Sequence, residues 1–391
     1  MTALARLAAD TDAAAIAPPR LLRVLYAAHV DPSRKFGSME EQAFLLAFAF
    51  RERGGLFLPV FSAAPEAVGR ARYEAADLEI AALDLSRFRL NILAKLLRLT
   101  ARHGIEVVHW NFYPPLTNGY VWALSIFAPW VKHYFTDHNS RQPDGRPARG
   151  RLKILKRILL KRYARVVGVS RFVANCLRDQ QAWPAPDCLL HFINTDRFAP
   201  DAEVRGEVRR RLDADGRFVL LTTAYLIKAK GVDTAVRALT KLPDSVTLWV
   251  VGDGPELAAL QALSREIGVI DRVHFLGLQS QVETYMQAAD VFVCPSLWEE
   301  AAGLVNLEAQ ACGLPVLASR VGGIPEYVMD GRSGVLFPPG DAETLARAVQ
   351  SLLDDPSRCR EMGRAARELA VDRFSAPARL DEYLSLYRSP V

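Results

Sequence analysis

Short apolar runs rich in β-branched residues alternate with longer stretches of helical periodicity along almost the whole chain. Continuous apolar strands covered by helices are typical of parallel sheets. The pattern therefore predicts an α/β fold. The strands predicted in the first half are Leu21–Ala27, Leu56–Phe61, Val107–Trp110, Lys132–Thr136 and Arg165–Ser170. Those predicted in the second half are Phe218–Thr223, Val246–Val251, Val273–Leu276, Val291–Pro295, Val316–Ser319 and Val335–Phe337.

The alternation restarts near residue 200, which predicts two domains. Phe198-Ala199-Pro200-Asp201 precedes a charged run, and this combination of proline and polarity is typical of a linker. We expect an N-terminal domain over 1–200, with 1–19 as a disordered leader, a C-terminal domain over 201–372 and a last helix within 373–391. Two doubly wound domains joined in this way are expected to face each other with the carboxyl ends of their strands, so that ligands bind in the cleft.

Two glutamates occupy one predicted strand, loop and helix of the second half. After strand Val291–Pro295, Glu300 lies in the loop and Glu308 lies in a helix expected to run from about Gly303 to Gly313. Free backbone N–H groups at the start of this helix favour a diphosphate. Glu308 can accept hydrogen bonds from ribose hydroxyls, and Glu300 from hydroxyls of a transferred group. The alternative is that both are solvated surface carboxylates.

Three neighbouring features favour binding. The small apolar run Ala309 to Cys312 predicts that Glu308 lies on a buried helix, where a lone carboxylate would be costly. Glycine turns follow two further predicted strands directly, at Gly252-Asp253-Gly254-Pro255 and at Gly322-Gly323-Ile324-Pro325-Glu326. Because the carboxyl ends of parallel strands share one edge of a sheet, we expect these loops to lie together.

The stretch from Phe218 to Val349 resembles the donor-binding domain of glycosyltransferase family 4, retaining enzymes of GT-B architecture with two Rossmann-like domains. The landmarks that carry the resemblance are Lys230-Gly231-Val232-Asp233, Gly252-Asp253-Gly254-Pro255, Val273-His274-Phe275-Leu276-Gly277, Ala289-Asp290-Val291, Pro295-Ser296, Glu300 with Glu308, Gly313-Leu314-Pro315-Val316, Gly322-Gly323-Ile324-Pro325-Glu326 and Gly334-Val335-Leu336. The resemblance implies that Glu300 contacts the donor sugar, Glu308 the ribose and Lys230 the diphosphate. It also implies that neither a metal nor another cofactor is required. Further donor-site positions that it implies are Gly303, Leu304, Gly252, Gly277 and Leu278.

The first half resembles the acceptor-side domain of the same family over shorter motifs. Gly37-Ser38-Met39-Glu40 matches the glycine loop that approaches the donor phosphates and the acceptor. Thr136-Asp137-His138 matches the segment whose histidine lies near the transferred sugar, and Val169-Ser170-Arg171 matches another strand end. The resemblance therefore implies a donor-site role for Gly37 and a catalytic role for His138, beside Lys230. A histidine taken alone is more often structural.

Three positions depart from the family pattern. Tyr225 replaces an arginine that forms, with Lys230, a cationic clamp on the leaving diphosphate. Lys228 is close by in sequence, and whether it substitutes for the arginine stays open. His191-Phe192 replaces an Asn-Gly pair, and Ala302 replaces an aromatic residue. These departures predict an unusual donor pocket, to which Tyr225 contributes, and a weaker phosphate clamp.

Composition and cysteine spacing exclude several classes of protein. Apolar residues make up 50% of the chain, which is enough for sizeable cores and argues against a disordered or fibrous protein. The five cysteines show no C-x-x-C spacing, which predicts buried free thiols in a reducing compartment. The first 19 residues carry Asp10 and Asp12 and do not resemble a signal peptide. We therefore expect a cytoplasmic protein.

Charge is segregated along the chain. Residues 1–200 carry 28 Lys and Arg against 17 Asp and Glu, a net charge of +11, whereas residues 201–391 carry 21 against 27, a net charge of −6. Arg151 to Arg165 has apolar residues at helical spacing with cations opposite, and such a helix can lie on an anionic membrane. The plain alternative is a sheet-covering helix with a solvated face.

A membrane and a nucleic acid are the two candidate partners of the basic half. Many members of the family glycosylate lipid-linked acceptors at the cytoplasmic leaflet, which favours a peripheral location on the inner face of the membrane. The uncharged stretch from Asn111 to Val131 contains Pro114, Pro115 and Pro129, so it is interpreted as a buried loop and core helix. No aromatic stacking platform accompanies the charge, and nucleic acid is not expected as a partner.

These patterns predict a retaining glycosyltransferase that moves a sugar from a nucleotide-sugar donor to a hydroxyl of a glycan or lipid-linked acceptor, in glycolipid or surface polysaccharide synthesis. Lys230, the helix start at Gly303 and the amides around Gly37 are expected to stabilise the leaving diphosphate. A last helix around Ala378 to Tyr387 is expected to return to the N-terminal domain. The alternatives are a nucleotide-sugar epimerase or phosphorylase of the same architecture, and an inactive sugar-nucleotide-binding partner, which Tyr225 suggests.

Overall fold

The computed structural model describes residues 20–33, 37–141, 160–180 and 185–388. These residues form two compact units: unit 1 within Met1–Asn139, Gly145–Asn194 and Ala376–Val391, and unit 2 within Ser140–Asp144 and Thr195–Ser375. The boundaries differ from the expected ones by a few residues. The proposed leader 1–19 and most of the basic run from Arg151 to Arg165 lie outside the described residues.

Unit 1 is built on a seven-stranded parallel sheet. Its strands are β1 Val24–Ala28, β2 Phe57–Phe61, β3 Ala81–Ala82, β4 Val107–Asn111, β5 Lys132–Asp137, β6 Tyr163–Gly168 and β7 Asp187–Cys188. They run in the order β3-β2-β1-β4-β5-β6-β7, which reverses between β1 and β4 as in a Rossmann fold. The five predicted strands are confirmed within three residues. The two edge strands β3 and β7 were not predicted, because two residues leave no readable period.

The first predicted strand begins later than expected for a structural reason. Leu21 forms an isolated antiparallel bridge with Arg388, and the Leu22 amide donates to the Tyr387 carbonyl at 2.8 Å. These residues therefore pair with the end of the chain, and the parallel ladder starts at Val24.

Helices cover the sheet of unit 1, and the last helix of the chain is one of them. The described helices of this unit are Ser38–Glu52, Ala67–Ala75, Leu90–Arg102, Gly119–Phe127, Arg171–Asp179 and Ala376–Leu386. Tyr387 packs edge-on against Phe50 and Phe57, with ring centres 5.6 and 5.8 Å away, and the Tyr383 hydroxyl donates to the Leu190 carbonyl at 3.1 Å. The C-terminal helix is thus part of the core of unit 1.

Unit 2 repeats the architecture with a six-stranded parallel sheet. Its strands are β8 Phe218–Thr223, β9 Val246–Val251, β10 Val273–Gly277, β11 Val291–Cys294, β12 Val316–Ser319 and β13 Gly334–Phe337. Their order is β10-β9-β8-β11-β12-β13, which reverses between β8 and β11. All six predicted strands are confirmed within one residue. Each is a mostly apolar run, and all of them except the edge strand β10 are almost fully buried, which makes their pattern easy to recognise in the sequence.

The helices of unit 2 are Ala202–Arg211, Val232–Ala238, Leu257–Glu266, Val282–Ala288, Leu304–Ala311, Ile324–Tyr327, Ala342–Asp354 and Pro356–Phe374, with 3₁₀ turns at Lys228–Lys230, Leu239–Lys241 and Ile270–Arg272. Asp290 anchors the first of them, because its carboxylate pairs with Arg205 at 2.5 Å and Arg209 at 3.1 Å and accepts the Val219 amide at 2.7 Å. None of the described helices in either unit is long and apolar enough to cross a membrane.

All five cysteines carry free thiols, as predicted. Burial was expected for all of them, but it holds only for Cys294 and Cys312, whereas Cys176, Cys188 and Cys359 are partly exposed.

Candidate active site

The predicted diphosphate and sugar ligands lie at the carboxyl edge of the sheet in unit 2. Lys230 ends the turn that follows β8, and Glu300 lies in the loop that follows β11. These are the two strands at which the strand order reverses. Open α/β sheets bind their ligands outside the carboxyl ends of strands at this point.

Close backbone contact holds the two loops together. Gly231 follows Lys230 with a φ of +61°, and a Cβ atom there would lie 2.1 Å from the Pro295 carbonyl oxygen. The Leu297 amide donates to the Ala229 carbonyl at 2.8 Å. Only glycine fits position 231, since any side chain would separate the loops. Lys230 is thereby held beside the loop of Glu300.

Four hydrogen bonds converge on Glu300. Its Oε1 accepts from Lys230 Nζ at 2.6 Å, Ser296 Oγ at 2.7 Å and Trp298 Nε1 at 2.9 Å. Its Oε2 accepts from Ser140 Oγ at 3.0 Å. The Glu300 side chain is only 7% exposed and that of Lys230 is 27% exposed. The carboxylate is therefore buried, paired and fixed in orientation.

The surroundings of Glu300 keep it ionised. Burial by itself would raise the pKa of its carboxyl group, but the Lys230 charge and the hydrogen bonds from Lys230, Ser296 and Trp298 outweigh burial and lower that pKa below its usual range. Lys230 Nζ also lies 5.4 Å from the centre of the Trp298 ring, within cation–π distance. The arrangement is a buried anion that orients a lysine ammonium.

The main chain braces this loop on two sides. Arg141 and Glu299 form an antiparallel bridge, with amide-to-carbonyl distances of 2.7 and 2.9 Å. The Gly323 amide donates to the Glu300 carbonyl at 2.8 Å, and a Cβ atom on Gly322 would lie 2.2 Å from the same oxygen. The position of the Glu300 carboxylate is therefore determined by backbone packing as well as by side chains.

The helix Leu304–Ala311 carries Glu308 in its second turn. It starts after Gly303, which has a φ of +71°, and Gly313 follows its end with a φ of +80°, so its predicted limits are confirmed. Glu308 is 7% exposed. Asn306 is fully buried near the start of the helix, and in the described parts of the chain neither polar atom of its side chain has a hydrogen-bond partner. Asn306 therefore adds a buried polar side chain to the first turn of the helix that carries Glu308.

The glycine loops after β9 and β12 lie at the same carboxyl edge of the sheet, as predicted. The Gly252 amide donates to the Gly277 carbonyl at 2.8 Å, and the Leu226 amide donates to the Asp253 carbonyl at 2.9 Å. These bonds join the loops after β8, β9 and β10. Gly252 and Gly277 thus form part of the scaffold beneath the site.

Two predicted donor-site residues project into solvent. The side chains of Tyr225 and Leu278 are 65% and 67% exposed. Lys228, in the turn that ends at Lys230, is exposed as well. Tyr225 brings no positive charge to the position of the family arginine, and its exposure leaves room there for a larger cationic side chain.

In unit 1, His138 follows β5 and lies between two aromatic rings. Its imidazole stacks on Phe112, with centres 4.2 Å apart and planes 18° apart, and on His191, at 5.3 Å and 24°. Phe112 has a left-handed backbone with a φ of +63°, a costly conformation for an aromatic residue. This strained residue and the departure His191 together fix the plane of the His138 ring.

Asn111 sets the tautomer of His138. The Asn111 amide nitrogen donates to the carbonyls of Ala27 and His109 at 3.4 and 3.2 Å, so its Oδ1 is left to accept from His138 Nε2 at 3.0 Å. His138 Nδ1 then carries the lone pair, and this buried atom has no hydrogen-bond partner among the residues described. Burial, followed by the influence of His191 and His109, holds the pKa of His138 well below its usual range. His138 is therefore a neutral imidazole at physiological pH.

Gly37 precedes the helix Ser38–Glu52, and its amide is already engaged. It donates to Glu40 Oε2 at 3.1 Å, and the neighbouring Glu41 pairs with Arg72 at 2.5 Å and accepts from Asn194 Nδ2 at 2.8 Å. Two buried carboxylates thus occupy the first turn of this helix. In this structure the Gly37 amide therefore donates to an internal carboxylate, and its role at the donor phosphates stays a prediction.

Among the predicted site residues, Lys230 contacts Glu300 and Gly252 contacts Gly277. Gly303, Leu304 and Glu308 lie at the start of one helix. His138 and Gly37 belong to unit 1. Within the described ranges there is no group of three or more His, Cys, Asp or Glu side chains suited to a metal ion.

Several residues at these sites were not predicted. Two of them, Ser296 and Trp298, stand between a buried strand and Glu300, so their position was an available signal. Asn306 lies two residues before Glu308, whereas the others become neighbours of Glu300 or His138 only through folding. The residues not predicted are Ser140, Ser296, Trp298, Asn306, Asn111 and Phe112.

Two family models match the chain. The family model described as Glycosyl transferases group 1 matches residues 204–369, and the one described as Glycosyltransferase Family 4 matches residues 40–196. The fold and the matched family models define a transferase built from two Rossmann-like domains. The chain belongs to glycosyltransferase family 4, and it is a glycosyltransferase.

Among curated relatives, the GDP-mannose-dependent alpha-(1-6)-phosphatidylinositol monomannoside mannosyltransferase of Mycolicibacterium smegmatis is 32% identical over 314 residues. The match covers 75% of this chain and 80% of that enzyme. The lipopolysaccharide core biosynthesis glycosyltransferase LpsE of Rhizobium meliloti is 36% identical over 171 residues, which is 44% of this chain and 50% of LpsE.

Among solved structures, Anabaena HepE in complex with UDP and glucose aligns with a TM-score of 0.75 at 21% identity, over 93% of this chain and all of that one. Sucrose-phosphate synthase from Thermosynechococcus elongatus aligns with a TM-score of 0.74 at 23% identity, over 94% and 98%. These similarities confirm the predicted α/β fold with two Rossmann-like domains of the GT-B class.

Proposed function

We propose that this enzyme transfers a hexosyl group from a nucleotide sugar to a hydroxyl of a lipid-linked or glycan acceptor, with retention of the anomeric configuration. The observation that carries the proposal is the contact of 2.6 Å between Lys230 Nζ and Glu300 Oε1. It lies where the strand order of unit 2 reverses, between β8 and β11. A phosphate-binding cation, a hydroxyl-binding carboxylate and the helix start at Leu304 follow the same pair of strands, β8 and β11.

Lys230 is assigned to the leaving diphosphate. Its ammonium has three N–H donors, of which Glu300 takes one, so among the described residues two remain for phosphate oxygens. The amides at the start of Leu304–Ala311 add the positive end of the helix dipole. Charge builds on the diphosphate as its bond to the sugar breaks, and pre-oriented donors stabilise it there without reorganisation. The mechanism assigns no step to a metal ion.

The two glutamates are assigned to hydroxyl groups. Oε2 of Glu300 accepts one hydrogen bond within the described residues, from Ser140, so it retains a lone pair for a donor-sugar hydroxyl. Glu308 is assigned to the ribose, because a helix side chain leans towards the N-terminus of its helix, where the diphosphate would sit.

We assign retention of the anomeric configuration to attack by the acceptor hydroxyl on the face of the sugar from which the diphosphate leaves. The bond from C1 of the sugar to the diphosphate oxygen breaks, the bond from C1 to the acceptor oxygen forms on the same face, and the acceptor proton passes to the leaving phosphate oxygen. Glu300 Oε1 already accepts three hydrogen bonds, which makes it a poor nucleophile and supports a path without a glycosyl-enzyme. The neutral His138 is assigned to the sugar side of this reaction.

The names of the relatives guide the choice of substrates. The Mycolicibacterium smegmatis enzyme is named for GDP-mannose and a phosphatidylinositol mannoside, and LpsE for lipopolysaccharide core. We therefore propose GDP-mannose as the first donor to test and a lipid-linked glycan as the acceptor, which puts the reaction at the cytoplasmic face of a membrane.

A donor screen followed by a transfer assay tests this function. Thermal shift against UDP-, GDP-, ADP- and dTDP-sugars identifies the donor, and proton NMR of the product formed with a lipid-linked mannoside reports the anomeric configuration. Lys230→Ala and Glu308→Ala are expected to abolish transfer while circular dichroism stays unchanged. The matched control is Lys241→Ala, which removes an exposed lysine of the same unit that pairs with Glu343.

Three results would contradict the proposal. They are unchanged turnover in Lys230→Ala or Glu308→Ala, an inverted product, and isomerisation of the donor in the absence of any acceptor. The last would instead favour an epimerase.

A further inference from the structure

The end of the helix Gly119–Phe127 and the loop after it form an exposed apolar edge of unit 1. Ile126, Phe127 and Trp130, the three residues that define this apolar edge, are 68%, 61% and 61% exposed. The earlier turns of the same helix are buried. The interpretation of the stretch from Asn111 to Val131 as a buried loop and core helix is therefore wrong for its last residues, because only one face of the helix meets the sheet.

The backbone of this segment holds the three exposed side chains outward. Ala128 and Val131 alternate with the apolar edge and are 1% and 5% exposed. The Ala128 amide donates to the Leu124 carbonyl at 2.8 Å, and the Val131 amide donates to the Ala128 carbonyl at 3.0 Å. The buried residues anchor the loop, so the intervening side chains are held outward. Single exposed apolar residues are ordinary, but three large ones within five positions mark an interaction surface.

Basic side chains border this edge. The Arg162 guanidinium lies 4.1 Å from the centre of the Trp122 ring, and Trp122 is one helical turn from Ile126, so the cation is beside the apolar edge. Lys132 directly follows the edge in sequence, and Lys161 adjoins Arg162; all three cations are exposed.

Two acidic groups next to the starts of β4 and β7 are already paired. Asp187 forms an ion pair with Arg165 at 3.2 Å, and Glu106 forms one with Arg20 at 2.5 Å. These two carboxylates therefore do not offset the exposed cations Lys132, Lys161 and Arg162, which suit an anionic surface.

We propose that the apolar edge docks the enzyme on a bilayer that contains anionic phospholipid. Ile126, Phe127 and Trp130 enter the boundary between headgroups and acyl chains, a depth that aromatic side chains prefer. Lys132, Lys161 and Arg162 contact lipid phosphates. The inference goes beyond the proposed function, since docking needs neither donor nor acceptor.

Vesicle co-sedimentation of the full chain tests the docking. Vesicles of phosphatidylcholine mixed with phosphatidylglycerol are expected to bind it more tightly than phosphatidylcholine alone, and less tightly as salt rises. The triple variant Ile126→Ser/Phe127→Ser/Trp130→Ser is expected to weaken binding by about tenfold or more. The control Val68→Ser, at a position that is 69% exposed in the same unit, keeps it.

A charge-reversal variant tests the role of the cations, and fluorescence quenching tests whether Trp130 enters the bilayer. Lys132→Glu/Arg162→Glu is expected to lose only the preference for anionic vesicles. Brominated lipid is expected to quench tryptophan fluorescence in the wild-type chain and much less in Trp130→Phe. The donor-induced thermal shift stays unchanged in these variants, which separates failure of docking from failure of the glycosyl-transfer assignment.

Two outcomes overturn the proposal. In the first, the triple variant binds vesicles as tightly as the wild type does. In the second, sedimentation velocity detects a dimer of the wild-type chain that the triple variant abolishes, which would make a second copy the occupant of the apolar edge.

Discussion

Lys230 and Glu300, 70 residues apart in sequence, form a buried ion pair with 2.6 Å between Nζ and Oε1. The glutamate is almost fully enclosed, and the lysine keeps about a quarter of its side chain exposed. Each charge makes burial of the other tolerable. The pair therefore contributes to stability as well as to the proposed chemistry.

Removal of Lys230 is expected to destabilise unit 2. Lys230→Met leaves the Glu300 carboxylate buried without its cation, at a cost of about 3 kcal/mol in the free energy of unfolding. The double variant Lys230→Met/Glu300→Gln is expected to recover most of this loss, since it buries no unpaired charge. Urea denaturation at neutral pH measures both. Additive losses in the two single variants and the double variant would mean that the pair is not coupled.

Introduction of the family arginine is expected to strengthen nucleotide binding. The exposed side chain of Tyr225 leaves room for Tyr225→Arg, and a charge-assisted hydrogen bond contributes about 1.5–3 kcal/mol, so we expect nucleoside diphosphate to bind about tenfold or more tighter. Isothermal titration measures the affinity, with Tyr225→Phe as the uncharged control. An affinity that stays the same, or that does not weaken with salt, would show that position 225 does not face the phosphates.

Replacement of His191 by the family residue is expected to change the pH profile of transfer. His191→Asn removes one of the two rings stacked on His138 and puts a smaller side chain in its place. Burial is the largest cause of the lowered pKa of His138, ahead of His191 and His109, so reduced burial raises that pKa towards its ordinary value. The acid limb of kcat/KM is therefore expected to move to higher pH. His191→Phe keeps the stack and is expected to leave the limb near its wild-type position. A uniform loss of rate at every pH would indicate a purely structural role.

Acid is expected to destabilise unit 1 through its buried histidines. Burial lowers the pKa of His109 to about 3 and those of His133 and His191 to about 4. The unfolded chain takes up these protons below about pH 6.5, whereas the folded chain does not take them up until about pH 4. Stability therefore falls as pH falls through this window, by up to about 1.4 kcal/mol per pH unit for each histidine.

His133→Gln tests this dependence, since glutamine can still accept the hydrogen bond that Trp110 Nε1 donates to His133 at 3.1 Å. Urea denaturation between pH 7 and pH 5 is expected to show a slope smaller by about one proton than that of the wild type. An unchanged slope would mean that His133 is not neutral in the folded state at pH 5.

Most strands and the helix of Glu308 were readable from local pattern alone. The strands of unit 2 are mostly apolar, and glycine marks both ends of Leu304–Ala311, so neighbouring residues carry the signal. The edge strands β3 and β7 were not predicted, because their pairing depends on an adjacent strand and not on their own composition.

The sequence by itself determined the alternation of strands and helices, the order of the family landmarks, and hence the class of enzyme. Only the tertiary structure decided that Ser140, 160 residues before Glu300, bonds to its carboxylate, that His191 stacks on His138, and that Trp130 faces outward. The physical reason is that strand order and loop packing bring residues together over long separations. Local propensity encodes which segment folds into which element, but it does not encode which side chains of distant segments meet.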